Sequence, residues 1–148
     1  MRLRLLLVSA FFLIATACGS KQLWTAFPAQ GDGVRVDPIG TWVSGGKLWV
    51  RVTVSNGSPA PIEVVRDAVV CVLPNGQRLG RAMGSTTVHT AYMIPPGGAH
   101  AVFVEFSAQG FDWDTVPDVN IDFSPAMTRG GQPINVAPLP IRSGRVRG

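Results

Sequence analysis

The stretch Lys47-Leu48-Trp49-Val50-Arg51-Val52-Thr53-Val54-Ser55, stopped by Asn56-Gly57-Ser58-Pro59, decides the fold class. Leu48, Val50, Val52 and Val54 recur at every second position, and a strand sends alternate side chains to opposite faces, so these four form a core-facing row. Trp49, Arg51, Thr53 and Ser55 form the other row, part aromatic and part polar. Pro cannot continue an interior ladder and Asn-Gly accepts positive φ, so the strand ends where the turn begins.

The chain repeats this pattern on the C-terminal side. Residues 62–73 are apolar but broken by Arg66-Asp67, which predicts two strand portions about a bend or bulge. Pro74-Asn75-Gly76-Gln77 reads as a turn, with residues 78–83 returning as a hairpin partner. Residues 86–94 are β-branched and aromatic up to Pro95-Pro96-Gly97-Gly98. Beyond that turn Val102, Val104 and Phe106 alternate with Ala101 and Phe103, and apolar character on both faces predicts a central strand. Val119, Ile121 and Phe123 alternate with Asp118, Asn120 and Asp122 in a half-buried strand. Pro138 and Pro140 confine the extended residues 134–141 to an edge or to a place where the chain changes sheets. No stretch sustains a 3.6-residue apolar repeat, so helix should be scarce. About seven short strands separated by turns predict an all-β, antiparallel β-sandwich over residues 34–141, with a small barrel as the alternative.

On the N-terminal side Gly31-Asp32-Gly33 marks a turn, and residues 18–33 read as a short tether, although Leu23, Trp24 and Phe27 are apolar enough for part of it to pack on the domain. Before it, Arg2 and Arg4 precede an apolar run at 5–14, and Ala15-Thr16-Ala17-Cys18 supplies small residues at a cleavage point. That is the order of a secretory signal, too short to span a bilayer stably. Residues 1–20 resemble the signal peptide and lipobox of bacterial lipoproteins. The resemblance implies that the Cys18 thiol is joined to diacylglycerol, that residues 1–17 are removed, and that the new amino group is acylated, with palmitate among the attached chains. Ala15 stands where that pattern most often has Leu, whereas Ala17 fits it. Plain secretion with cleavage after Ala17 is the alternative, and the cysteine at the cut favours lipidation. Each buried methylene contributes about 0.8 kcal/mol, so two or three chains hold a protein almost permanently where one binds reversibly. In that family Asp after the cysteine favours inner-membrane retention. Gly19 and Ser20 therefore imply the outer membrane, facing the periplasm, with the cell surface as the alternative.

The downstream part is similar to the immunoglobulin-like ectodomains of bacterial lipoproteins through two pieces: the strand and turn at 48–57, and Ile94-Pro95-Pro96-Gly97-Gly98 leading into Val102, Val104 and Phe106. This resemblance implies a binding or scaffolding role rather than a reaction.

The chain has 148 residues, a formal charge of +4 and two cysteines. Without residues 1–17 it suits one domain with a single core. Two arginines leave with that segment, so eleven basic side chains face nine acidic ones. Three of the cations, Arg142, Arg145 and Arg147, sit in a basic tail at 142–148, and the body they leave has no broad basic face for nucleic acid. With Cys18 acylated, Cys71 is the one remaining thiol and no intramolecular disulfide can form. Its run, Ala68-Val69-Val70-Cys71-Val72-Leu73, reads as core.

Chemistry has few places to reside. Asp112, Asp114, Asp118 and Asp122, with Asn120, offer enough oxygens to raise calcium, yet the spacing is not that of an EF-hand loop, and carboxylates on a strand's outer face also keep a surface wet. His89, His100, Cys71, Met83 and Met93 are copper-ligand types, but the compact grouping of a copper loop is missing. We expect no metal and no cofactor. There is no Gly-x-Ser-x-Gly elbow, Gly84-Ser85-Thr86-Thr87 reads as a turn, and Glu63 and Glu105 have no carboxylate partner fixed by spacing, so no catalytic residue is assigned and an enzyme is not expected. Trp24, Trp42, Trp49 and Trp113 remain, since exposed Trp stacks on sugars or anchors a protein partner. Trp49, opposite Leu48 and Val50, is the outward one. The candidate binding residues are Trp49, Trp113, Asp112, Asp114 and Asp118. The expected partners are a membrane, through the lipid on Cys18, and another envelope protein, with cell-wall or surface polysaccharide as the alternative and no nucleic acid.

Overall fold

Leu48, Val50, Val52 and Val54 are fully buried along one strand, Lys47–Asn56, as their alternation requires. The structure is a computed structural model and describes residues 22–23, 25–81, 90–107, 112–113 and 118–142. In chain order its strands are β1 Gln22–Leu23, β2 Thr25–Ala26, β3 Ala29–Gly31, β4 Val34–Ser44, β5 Lys47–Asn56, β6 Ile62–Val65, β7 Val70–Val72, β8 Arg78–Leu79, β9 Ala91–Ile94, β10 Ala99–Phe106, β11 Asp118–Asp122, β12 Met127–Arg129, β13 Gln132–Pro133 and β14 Leu139–Arg142. Helical structure among the described residues is confined to short 3₁₀ turns, including Arg66–Ala68 and Ser124–Ala126. No described helix is long and apolar enough to cross a membrane.

The protein is all-β, and its described strand pairs are antiparallel. Three sheets form: β1-β4-β5-β10 with β3 also on β4, then β2-β14-β11-β7-β8, then β13-β12-β6-β9. The hairpins β3–β4, β4–β5 and β12–β13 turn through Asp32-Gly33, Gly45-Gly46 and Gly130-Gly131, each with positive φ at both central residues. That backbone twist matches the twist of the flanking strands. In β4 the register shifts between Pro38 and Gly40, so Ile39 is the extra residue of a bulge. Proline is tolerated there because, among the described pairings, β3 meets residues 34–36 and β1 meets 42–43, and none on that side of β4 engages Pro38.

One core joins the three sheets. Val36, Val102, Val104 and Phe106 come from the first, Cys71, Ile121, Leu139 and Ile141 from the second, Ile62, Val64, Ile94 and Met127 from the third. Each fully buried aliphatic side chain contributes about 1.5–3 kcal/mol. Burial is therefore the main source of stability, and Cys71 is a free, buried thiol within that core.

The sheets meet differently from what local sequence suggests. Of the bend and the bulge expected at Arg66-Asp67, the bend is found. It lies in the 3₁₀ turn that hands the chain from β6 in the third sheet to β7 in the second, with Arg66 N–H donating to Thr90 O at 2.6 Å and Val69 N–H to Arg66 O at 3.2 Å. The turn after β5 works through a side chain rather than through positive φ. Asn56, 1% exposed, donates through Nδ2 to Ala60 O at 2.8 Å and Ile94 O at 3.1 Å, and its Oδ1 accepts from Ser58 N–H at 3.0 Å and the Ser58 hydroxyl at 2.6 Å. The expected central strand, β10, is the terminal strand of its sheet among the described pairings, and its outer face is open: Phe103 is 38% exposed. Residues 134–141, expected at an edge or where the chain changes sheets, do the latter: they carry the chain from β13 in the third sheet to β14, which lies between β2 and β11 in the second. β2 reaches only Ile141 and Arg142, and Pro140 contributes its carbonyl to Phe27 N–H at 3.2 Å, so its missing N–H is not called upon. Part of the expected tether, residues 18–33, pairs in the sheets as β1, β2 and β3.

Candidate functional site

The register of the first sheet builds an aromatic face. Trp42 pairs with Trp49, Trp49 with Glu105, and Arg51 with both Gly40 and Phe103. Because Leu48, Val50, Val102 and Val104 point into the core, Trp49, Arg51 and Phe103 share the opposite face. Trp42 and Trp49 lie parallel, 3° apart, with ring centroids at 6.2 Å. Phe103 closes the group at 5.7 Å from Trp42 and 5.3 Å from Trp49. Gly40 presents no side chain beside Arg51, which keeps this part of the face low. Aromatic pairs at such distances contribute about 0.5–1.5 kcal/mol each beyond their burial.

Hydrogen bonding and charge fix the rest. Trp49 Nε1–H donates to Ser44 O at 3.0 Å, tying the indole to the β4–β5 turn. Lys47 Nζ lies 5.6 Å from the centroid of the Trp49 ring and 3.6 Å from the Glu105 carboxylate, which is almost fully buried. Arg51 is exposed, and among the described residues no hydrogen bond or ion pair engages it. Ile39, 51% exposed on the bulge, adds apolar surface on β4. The face can stack on a flat apolar surface and attract negative charge. The carboxylate nearest the rings, Glu105, is ion-paired with Lys47.

The sequence-derived candidates fall apart into separate environments. Trp49 stands on the outer face, as its alternation implied. Trp113 does not: it is 1% exposed and belongs to the core, because its large apolar surface outweighs the polar residues around it in sequence. Asp112 is exposed beside it. Asp118 pairs with Arg142 at 3.8 Å, and Asp122 accepts from Arg78 at 2.8 Å and from Ser124 N–H at 3.0 Å. Among the described residues no three His, Cys, Asp or Glu side chains gather as metal ligands would. His100 is exposed and packs against Tyr92, ring centroids 4.3 Å apart and tilted by 34°, while Cys71 lies in the core, where burial pushes its thiol pKa up to about 12. Cys18, Trp24, Met83, His89, Asp114, Arg145, Arg147 and the segment 84–87 lie outside the described residues. An open depression of about 560 Å³ beside the β3–β4 turn is lined by Gln30, Asp32, Arg35 and Ser55, but the Asp32 carboxylate is already taken by Asn135 N–H at 2.9 Å.

No protein-family model matches the sequence, and no curated protein matches it significantly. Among solved structures the chain is similar to the crystal structure of the yjhA protein from Bacillus subtilis, with a TM-score of 0.46 and 11% identity over 68% of this chain and 78% of that one. It is also similar to the X-ray structure of a Northeast Structural Genomics Consortium target designated SoR45, with a TM-score of 0.42 and 13% identity over 79% of this chain and 90% of that one.

Proposed function

We propose that the chain is an envelope lipoprotein, lipid-attached at Cys18 and carried by the outer membrane on its periplasmic side, whose domain is an immunoglobulin-like β-sandwich acting by contact rather than by reaction. The order of charges, apolar run and small residues before Cys18 supports the anchor, and antiparallel sheets around one core support the sandwich. The observation that carries the binding role is large apolar side chains exposed above a well-filled core on two different sheets: Ile39 and Phe103 on the first, and Met93, 66% exposed, on β9 of the third. Confinement to a membrane raises effective concentration, so modest patches suffice for an accessory role beside another envelope protein. Met93 is the contact point we favour for that partner, because an unbranched thioether adapts to varied surfaces. Recognition of a polysaccharide is the second reading, favoured by the parallel Trp42 and Trp49 rings.

A photo-crosslinking residue in place of Met93, activated in native membranes and followed by mass spectrometry, tests the role. A reproducible protein adduct supports it. Glycan capture without a protein adduct favours the second reading, and neither outcome at any expression level defeats both. Cys18→Ser should release or mislocalise a folded protein; a variant that stays lipidated and membrane-bound refutes the anchor.

A further inference from the structure

We infer that the aromatic face of the first sheet is a membrane-contact surface, seated on the anionic headgroup layer of the bilayer that carries the protein. The inference rests on the lipid anchor at Cys18 and adds to it an orientation. Its first support is topological. β1 runs antiparallel to β4, with Gln22 opposite Val43 and Leu23 opposite Trp42. Gln22 therefore stands at the end of β1 nearest the Ser44–Lys47 turn. Only Gly19, Ser20 and Lys21 separate Gln22 from Cys18. At the maximum reach of about 3.3–3.6 Å per residue, the lipidated sulfur carrier is held within about 14 Å of the strand that pairs with Trp42. The aromatic group is thus on the membrane-proximal end of the domain.

The second support is chemical. Trp is enriched at membrane–water interfaces because its ring is apolar and its N–H is satisfied by a polar partner, and Trp49 has that form, its Nε1 bonded to the Ser44 carbonyl. Lys47, with its ammonium beside the Trp49 ring, is placed as a side chain that buries its stem and keeps its charge at headgroup level. Arg51, exposed and without a described partner, lies in register with Phe103 on the same face. Glu105 offsets one of the two cations, and the Arg35–Asp37 pair further along β4 is internally neutral, so the surface keeps a positive excess toward anionic lipid. Two or three acyl chains already hold the protein to the bilayer. The face therefore sets how the domain stands on the bilayer.

The test uses the full lipidated protein, isolated with its anchor and carrying Trp24→Phe so that Trp42, Trp49 and the buried Trp113 are the emitters. It is reconstituted into phosphatidylcholine vesicles with a minority of phosphatidylglycerol, with and without dibrominated acyl chains, and tryptophan emission is read. Interfacial seating should lower the emission of Trp42 and Trp49 in brominated vesicles relative to unbrominated ones. Arg51→Glu, whose exposed position leaves folding intact, should restore most of that emission, as should omission of phosphatidylglycerol. Trp42→Phe with Trp49→Phe should leave Trp113 emission unquenched. An anchored protein whose emission ignores bromine overturns the inference and leaves the anchor standing. A protein that fails to float with vesicles, and lacks the acyl mass, overturns the anchor and the inference with it. A crosslinker at Phe103 that captures protein rather than lipid also overturns the inference, assigning the face to a partner.

Discussion

Replacing Asn56 with alanine should loosen the junction between the first and third sheets. The backbone contacts of Asn56 survive the change: its N–H donates to Gly98 O at 2.9 Å and its carbonyl accepts from Gly97 at 2.7 Å. The Ser58 hydroxyl also survives, because it still reaches Ala60 O at 2.9 Å. The donor to Ala60 O is lost too, but that carbonyl keeps the Ser58 hydroxyl; the groups left without their partner are Ile94 O and Ser58 N–H, both in buried surroundings. A buried polar group deprived of its partner costs about 1–3 kcal/mol, so two cost about 2–6. Gly57 and Pro59 are exposed, which gives water some access and places the expected loss near 3 kcal/mol, within that range. For a domain of this length that corresponds to a fall in Tm of about 10 °C. Urea unfolding followed by tryptophan emission, compared at equal m-value, measures it. Asn56→Asp keeps the acceptor, loses both donors and turns a carboxylate toward two carbonyl oxygens, so it should be at least as damaging. A loss under about 1 kcal/mol for the alanine variant would mean that water replaces the side chain, and the junction argument would fail.

Cys71 should resist alkylation while the protein is folded and react once urea unfolds it. Its folded pKa, about 12, exceeds the ordinary value of 9.0, so its contribution is fully present below pH 9 and is lost as pH rises toward 12; Cys71→Ala should flatten that alkaline decline in unfolding experiments. Lys47→Ala leaves the Glu105 carboxylate buried without its cation and should cost about 1–2 kcal/mol, whereas Glu105→Gln should cost less in the same urea assay. Gly31→Ala would place a methyl carbon 2.2 Å from the Asn135 carbonyl oxygen, so β3 must move away from the 135–136 backbone, and thermal melting should show a loss of about 3 kcal/mol or more. Ile121→Ala, at the middle of the second sheet between Cys71 and Leu139, should cost about 3–4 kcal/mol by the same measurement.

Strand existence was legible because each strand has one buried face, and a period of two betrays it: β5 and β11 lie where alternation put them. Sheet membership was not, since nothing local in Arg66-Asp67 says that the chain crosses between sheets there. The hairpins at Gly45-Gly46 and Gly130-Gly131 carry a local sequence signal, a glycine pair between extended runs. Trp49 was legible as outward from its neighbours alone. Its grouping with Phe103 depends on a register between strands roughly fifty residues apart, which no local pattern encodes. Trp113 misled in the opposite sense, because acidic neighbours in sequence say little about the space a large ring occupies. Phe103 also made β10 look central, although apolar residues on both faces arise equally from an exposed contact surface.

The placing of β14 between β2 and β11 bears on biogenesis. The second sheet joins a strand near the start of the domain to one at its far end, so its closure carries the entropy of a very long loop. A protein exported from its N-terminus would hold β2 and β11 unsatisfied until residues 139–142 had crossed the membrane. During that interval β11 offers an open ladder to any neighbouring chain, a template for aggregation. If the chain is exported as proposed, folding of this domain is coupled to completion of that export, and a product truncated before Leu139 should aggregate or be degraded rather than persist as a slightly destabilised protein.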